Sequence, residues 1–180
     1  MGFRYEVRLS GAGGQGLILA GKILAEAAVI FQDLNATQSQ SYGPEARGGA
    51  SRSEVVISDE EIDYPKAGRV DLLLAMTQEA YDRYHNEVKE DGVIIVDSTF
   101  VKEFDDERVI SLPITDTAEK ETSRSLTANI VALGVTTVVS KILKEESVRK
   151  AIMVRVPKGT EEMNLKAFAA GVALARERLA

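Results

Sequence analysis

Short apolar runs alternate with longer mixed stretches along most of the chain. Phe3–Ser10 alternates apolar and polar positions and then meets a run of glycines, the pattern of a first strand. From Gly14 to about Phe31 apolar residues fall on most faces of a helix, so that helix should be covered on more than one side. Asn35–Ser53 is rich in Ser, Gln, Gly and Arg, and reads as a long loop or as a weak strand followed by a loop. Glu54–Ser58 is a strand, and the hairpin-like stretch Ser53–Tyr64 is expected to add antiparallel pairing. Asp71–Met76, Val93–Asp97 and Val109–Leu112 are short apolar runs of the kind buried on both faces of a sheet. The second is entered through a turn at Asp91-Gly92, and the third is closed by Pro113. Thr77 caps a helix reaching about Lys89, and Ser125 or Thr127 caps a long helix through Leu143. Ser147–Val154 and Met163–Leu179 are further helices. This order predicts one α/β domain over residues 1–180, with three layers, α/β/α, around a mixed, largely parallel sheet.

Composition narrows the function. A net charge of −6 argues against a dedicated nucleic-acid binder, which shows a basic face, and fits a cytoplasmic protein. The chain has no cysteine, so it holds no disulfide, thiolate nucleophile or thiolate-bound iron–sulfur cluster of its own. Its one histidine, His85, sits in the polar, helix-like stretch Tyr81–Glu87, which makes a His-rich zinc site or a Ser-His-Asp triad a poor expectation. The charged start Met1–Arg8 reads as a strand rather than a signal peptide, and Glu6 stands where a myristoylation signal favours Ser or Thr. Leu17–Phe31 contains Lys22 and Glu26, and Leu126–Leu143 contains Asn129 and Lys141, so both read as core helices and not membrane spans.

Two segments carry candidate chemistry. Gly11-Ala12-Gly13-Gly14-Gln15-Gly16 fits G-x-G-x-x-G at Gly11, Gly13 and Gly16, between a strand and a helix, as a Rossmann-like turn does. Glycines permit a tight turn, and the helix start presents free N–H groups to an anion. A dinucleotide site also needs an acidic residue at the end of the second strand. Asp33 has roughly that spacing but directly follows the helix. Three readings stand: dinucleotide binding, close helix–sheet packing, or an anion or subunit contact. The second segment is Tyr42–Glu54, where Gly48 and Gly49 adjoin Arg47 and precede Arg52. Guanidinium forks there can grip carboxylate or phosphate, or simply pair with Glu45 and Glu54 at the surface.

Together these segments resemble the gamma-type subunits of 2-oxoacid:ferredoxin oxidoreductases, which show a G-x-G-G-Q-G turn after the first strand and an R-G-G-x-S segment entering a strand. Both patterns stand here, at Gly11–Gly16 and Arg47–Ser51. The run Gln40–Gly49 is most similar to the 2-oxoglutarate-specific branch, and Asp97-Ser98 and Asn129 also fit the family. The resemblance implies a single gamma-type domain of the pyruvate/ketoisovalerate oxidoreductase kind, with no catalytic residue and no metal of its own. It implies alpha- and beta-type partners that bind thiamine diphosphate and Mg²⁺, a ferredoxin-like delta subunit with iron–sulfur clusters, and ferredoxin as acceptor. The complex would convert 2-oxoglutarate and coenzyme A to succinyl-coenzyme A, CO₂ and reduced ferredoxin. In this chain Gly11, Gly13, Gly14, Gln15, Gly16, Tyr42, Glu45, Arg47, Gly48, Gly49, Arg52, Ser98 and Asn129 would then face coenzyme A or the partner subunits. Arg47 or Arg52 would hold an acidic group. The competing readings are a stand-alone NAD- or FAD-binding oxidoreductase and a purely structural scaffold. A homodimer of the isolated chain is left open.

Overall fold

The structure is a computed structural model that describes residues 2–41 and 50–180. The elements are β1 (Arg4–Gly11), α1 (Leu17–Gln32), β2 (Asn35–Ser41), β3 (Ser51–Ser58), β4 (Val70–Ala75) and α2 (Gln78–Tyr84). They continue with β5 (Val88–Asp97), β6 (Val109–Leu112), α3 (Ile114–Thr122), α4 (Ala128–Ser140), α5 (Glu145–Arg155) and α6 (Glu161–Leu179). The six strands form one sheet in the order β2-β3-β1-β4-β5-β6. β1, β4, β5 and β6 are parallel neighbours, and β3 runs antiparallel to both β1 and β2. The sheet is therefore mixed and largely parallel, in an α/β fold, as expected.

Side-chain alternation sorts the two faces. Val7, Leu9, Val55, Ile57, Leu72, Leu74 and Ile95 point to one side, into a core shared with α1, α3, α4, α5 and α6. Leu73, Ala75, Ile94 and Val96 point to the other side and meet Ala80, Tyr81 and Tyr84 of α2. The helix-rich face is packed backbone to backbone in places. A Cβ at Gly171 of α6 would lie 2.0 Å from the carbonyl oxygen of Val131 in α4, so only glycine allows that approach.

Four expectations are corrected, and one open pair of readings is decided. The antiparallel pairing comes from β3 inserted between β1 and β2, and no hairpin forms over Ser53–Tyr64. Asn35–Ser41 is an edge strand, the second of the two readings of that polar stretch. Thr77 does cap α2, accepting from the Ala80 N–H, but the helix ends at Tyr84 in a 3₁₀ turn, His85–Glu87. β5 then begins at Val88, so Asp91-Gly92 lies in an irregularity within a strand: Val70 pairs with Val88, whereas Leu72 pairs with Val93. The long helix is capped by neither Ser125 nor Thr127, whose hydroxyl instead donates to the Arg124 carbonyl; a 3₁₀ turn leads into α4. Helix α3 was not anticipated at all.

Candidate functional site

Parallel strands end together, and the loops leaving their carboxyl ends form the place where ligands usually bind in open α/β sheets. Here that edge gathers the glycine turn after β1, the Ser98–Phe100 segment after β5, and the starts of α1, α3 and α4. Gly14 and Gly16 take positive φ values of 86° and 75°, which turn the chain from β1 into α1. Gln15 closes the turn on itself, its side-chain oxygen accepting from the Ala12 N–H at 2.7 Å. Asn129, buried at the start of α4, donates its side-chain amide to the Gly16 carbonyl at 3.0 Å. A Cβ at Gly16 would stand 2.5 Å from that amide. The sequence pattern GxGGQG thus has a structural use at Gln15 and Gly16, whereas a Cβ added at Gly13 or Gly14 would meet no atom of the described residues.

Asp97 organises the far side of this edge. It is fully buried at the end of β5, and its carboxylate accepts from the N–H groups of Thr99, Ile114 and Thr115 and from the Thr115 hydroxyl at 2.6 Å. One carboxylate thereby caps α3 and fixes the loop that carries Ser98. The Ser98 N–H bonds to the Leu112 carbonyl at 2.8 Å, and the Ser98 carbonyl accepts from Lys102. A cavity of about 160 Å³ opens between the two sides, lined by Gly14, Gln15, Phe100, Thr115, Leu126 and Ala128. Phe100 and Leu126 are exposed there, Leu126 by 72%. Neither α1 nor α4 has an acidic residue in its first turn or a side-chain cap. The edge therefore offers open backbone, free amides and two bare apolar side chains, suited to an anionic group or a docking surface.

The sequence-predicted residues divide. Gly11, Gly13, Gly14, Gln15, Gly16 and Asn129 come together, and Ser98 lies across the same edge. Register places Gly11 beside Ser51, so Ser41 and Ala50, which flank the Tyr42–Gly49 segment, also emerge at this edge. Tyr42, Glu45, Arg47, Gly48 and Gly49 themselves lie outside the described residues. Arg52 points to the α2 face, where its Nε is 3.4 Å from Glu54 and its guanidinium lies 5.8 Å from the Tyr84 ring. That is the surface-pairing alternative for Arg52. His85 bonds to the Tyr81 carbonyl at 2.9 Å and stacks on the Tyr81 ring, a local structural role. Sequence reasoning missed Phe100, Leu126 and the capping role of Asp97. An aspartate closing a buried strand, followed by Ser and Thr, was the available signal.

The dinucleotide reading fails on topology. β2, the strand that follows α1, is separated from β1 by β3. Asp33 precedes β2, and Asn35 aligns through Ser58 with Arg4 at the amino end of β1. Asp33 is therefore more than about 20 Å from the glycine turn, at least the length of β1, and cannot hold the ribose of a nucleotide bound there.

The fold thus defines an α/β domain with a glycine turn at a loop edge but without the acidic partner of a nucleotide-binding enzyme. Among known proteins, the pyruvate ferredoxin/flavodoxin oxidoreductase family matches residues 6–174. The chain belongs to that family and is a gamma-type subunit of a multi-subunit 2-oxoacid:ferredoxin oxidoreductase. It is 51% identical to the 2-oxoglutarate synthase subunit KorC of Methanocaldococcus jannaschii, over 97% of this chain and 95% of that one. A keto/oxoacid ferredoxin oxidoreductase gamma subunit from Geobacter sulfurreducens is 47% identical and superposes with a TM-score of 0.89, covering 98% of each chain. A 2-oxoglutarate:ferredoxin oxidoreductase from Magnetococcus marinus, with 2-oxoglutarate, coenzyme A and succinyl-CoA bound, shares the fold. It has a TM-score of 0.84 at 24% identity, over 97% of this chain and 31% of that one.

Proposed function

We propose that the chain serves a complex that oxidatively decarboxylates 2-oxoglutarate with coenzyme A, giving succinyl-coenzyme A, CO₂ and reduced ferredoxin. The single observation that carries its local role is the carboxyl edge: Gly13 and Gly14 open to solvent beside exposed Phe100 and Leu126. Backbone bare of side chains lets a partner or ligand approach closely, and apolar side chains at its rim gain by being covered. The whole of residues 1–180 acts as one gamma-type domain whose edge docks on alpha- and beta-type subunits and forms part of the coenzyme A channel. Gln15 and Asn129 hold the turn in shape, and the Tyr42–Gly49 segment, with Arg47, supplies the charge for an acidic group of the ligand.

Thiamine diphosphate, Mg²⁺ and the iron–sulfur clusters belong to the partners in this reading, with a ferredoxin-like delta subunit passing electrons to ferredoxin. Its support is the donor set of this chain. It has no cysteine to hold a thiolate-bound cluster. When bound in the partners, thiamine diphosphate supplies the carbanion chemistry. The substrate assignment is supported by the relatives named as 2-oxoglutarate synthase subunits. A cytoplasmic location completes the reading. Separately, no described helix is long and apolar enough to cross a membrane.

The test is anaerobic capture of this chain with its partners, followed by viologen reduction with 2-oxoglutarate, pyruvate and branched-chain 2-oxoacids. Coenzyme-A-dependent reduction fastest with 2-oxoglutarate is the expected result. Arg47→Ala should raise the apparent KM for coenzyme A several-fold without loss of assembly. An unchanged KM in an intact complex would remove Arg47 from the ligand role.

A further inference from the structure

Helix α6 uses small residues on two sides, and only one side has a reason within the chain. On its inner side Gly171, with Ala167 and Ala175, is buried against α4. On its outer side Ala169, Ala170 and Ala173 floor a groove of about 460 Å³ between α6 and α3. None of the described residues fills it. The groove continues along the amino half of α6, where Glu121, Glu162 and Lys166 line a second concavity of about 490 Å³. Small side chains on a helix face let another helix approach to about 8 Å.

The charges around this face say which helix. Lys166 and Glu177 bracket the alanines, and neither has an ion-pair or hydrogen-bond partner among the described residues. Lys166 is unpaired even with Glu162, one turn away on its own helix. When a second α6 is laid antiparallel on the first, with the two-fold axis between Gly171 and Val172, position 170 faces 173 and position 166 faces 177. Lys166 then meets Glu177 of the second copy, and the reverse pair forms at the other end. Arg178 of the second copy reaches the region of Glu162, which is also unpaired among the described residues. Unlike charges thus face each other at both ends of an alanine contact, and a parallel arrangement would place like charges together instead.

We infer that the outer face of α6 is an isologous interface at which two copies of this chain pair through antiparallel α6 helices. This face belongs to the helical layer and not to the carboxyl edge, so the interface leaves that edge free for the thiamine-binding subunits. It stands or falls separately from the coenzyme A reading.

The test is the mass of the purified full chain across a concentration series, by sedimentation equilibrium. The native chain should be a dimer. Lys166→Glu and Glu177→Lys should each weaken dimerisation by about tenfold or more, because every change introduces two like-charge contacts. The double variant K166E/E177K restores both pairs with their signs exchanged and should return within about threefold of the native value. A native chain that is monomeric throughout, the outcome expected if a different protein covers this face, overturns the inference, and so does a double variant no better than the single ones. Because the chain contains no cysteine, A170C/A173C gives an independent reading. Oxidation should trap a covalent dimer, whereas a dimer that A170C/A173C does not trap is paired some other way and also refutes the arrangement. Circular dichroism of each variant confirms that the surface changes leave the fold intact.

Discussion

The two faces of the sheet are held by different physics. One is covered by five helices and carries an apolar core of Val, Leu, Ile and Ala, with α4 and α6 in backbone contact. Among the described residues the helix covering the other is α2 alone, and along β1 and β3 that face carries charge. There Arg8, 3% exposed, binds Glu54 and Glu87 at 2.9 Å each and lies 5.0 Å from the Tyr84 ring. A packed face depends on shape, which no second substitution readily restores. An ionic face depends on matched partners, which can be replaced together. Each prediction below tests that difference.

The largest effect is expected on the packed face. Gly171→Val places a branched side chain where even a Cβ would lie 2.0 Å from the Val131 oxygen. Overpacking costs about 1–3 kcal/mol where side chains can yield, and here the obstacle is backbone, so a loss of about 3 kcal/mol or more is expected. In thermal melts that is a fall of roughly 6–12 °C for a chain of this size. Shortening Val131 to Ala should not rescue it, because the clash is with a carbonyl oxygen. Recovery in the double variant would show that the helices are held apart by side chains after all.

On the charged face, Arg8→Met takes the nearer guanidinium from Glu54, 8% exposed, and leaves it only the Arg52 Nε at 3.4 Å. Removing one partner of a buried pair costs about 3 kcal/mol, less than a full unpaired burial because the half-exposed Glu87 can turn to water. Here the second substitution should matter. Arg8→Met with Glu54→Leu is expected to regain most of the loss, since a matched apolar pair of similar size is often neutral. Urea unfolding of the two variants measures both. If the double variant is as unstable as the single one, the face depends on shape too, and the contrast with the α6 face disappears.

A smaller effect is expected where the faces meet, at the carboxyl edge. Asp97→Ala removes the carboxylate that caps α3, leaving the N–H groups of Ile114 and Thr115 unpaired in a buried setting. The loss should be about 2 kcal/mol, at the upper end for helix caps. Hydrogen exchange should show it locally, in the first turn of α3 and at Ser98–Phe100, with β1 and α1 protected as before.

This cap also explains what the chain concealed. The apolar strands β4, β5 and β6, and the strand–glycine–helix succession of β1 and α1, were legible because each is a local pattern. Helix α3 was not, because in Ile114–Thr122 only Ile114, Thr115 and Ala118 are buried, too few to show a period, and its start is fixed by an aspartate 17 residues earlier. β2 was only half legible: Asn-Ala-Thr-Gln-Ser-Gln-Ser has no apolar alternation and is a strand because β3 pairs with all seven residues. The site divides the same way. Gly11–Gly16 announces itself by spacing and Asn129 by likeness to the family. Phe100 and Leu126 join them only through tertiary placement, and Arg52 leaves them because strand alternation turns it to the α2 face.

The smallest effect uses one tyrosine from each face. Tyr5 packs at the margin of the helix-covered core, and its pKa is pushed up to about 12, by burial first and by the charge of Asp71 second. Tyr81 of α2 is also raised, again by burial first, then by Asp106 and Asp105. A phenol is neutral when protonated, so a raised pKa means that the fold favours the neutral form. Below pH 10 both the folded and the unfolded chain keep the proton, and this contribution to stability is fully present. Between 10 and about 12 the unfolded chain releases the Tyr5 proton and the folded chain does not, so stability falls as pH rises through that window. Phenolate absorbance should show a late phase near pH 12 in the native chain, and Tyr5→Phe should remove one tyrosine from it. Asp71→Asn should move the phase slightly lower without removing it, because burial is the larger cause. A late phase untouched by Tyr5→Phe but lost with Tyr81→Phe would mean that the charged face excludes water better than the packed one, the reverse of the contrast drawn between them.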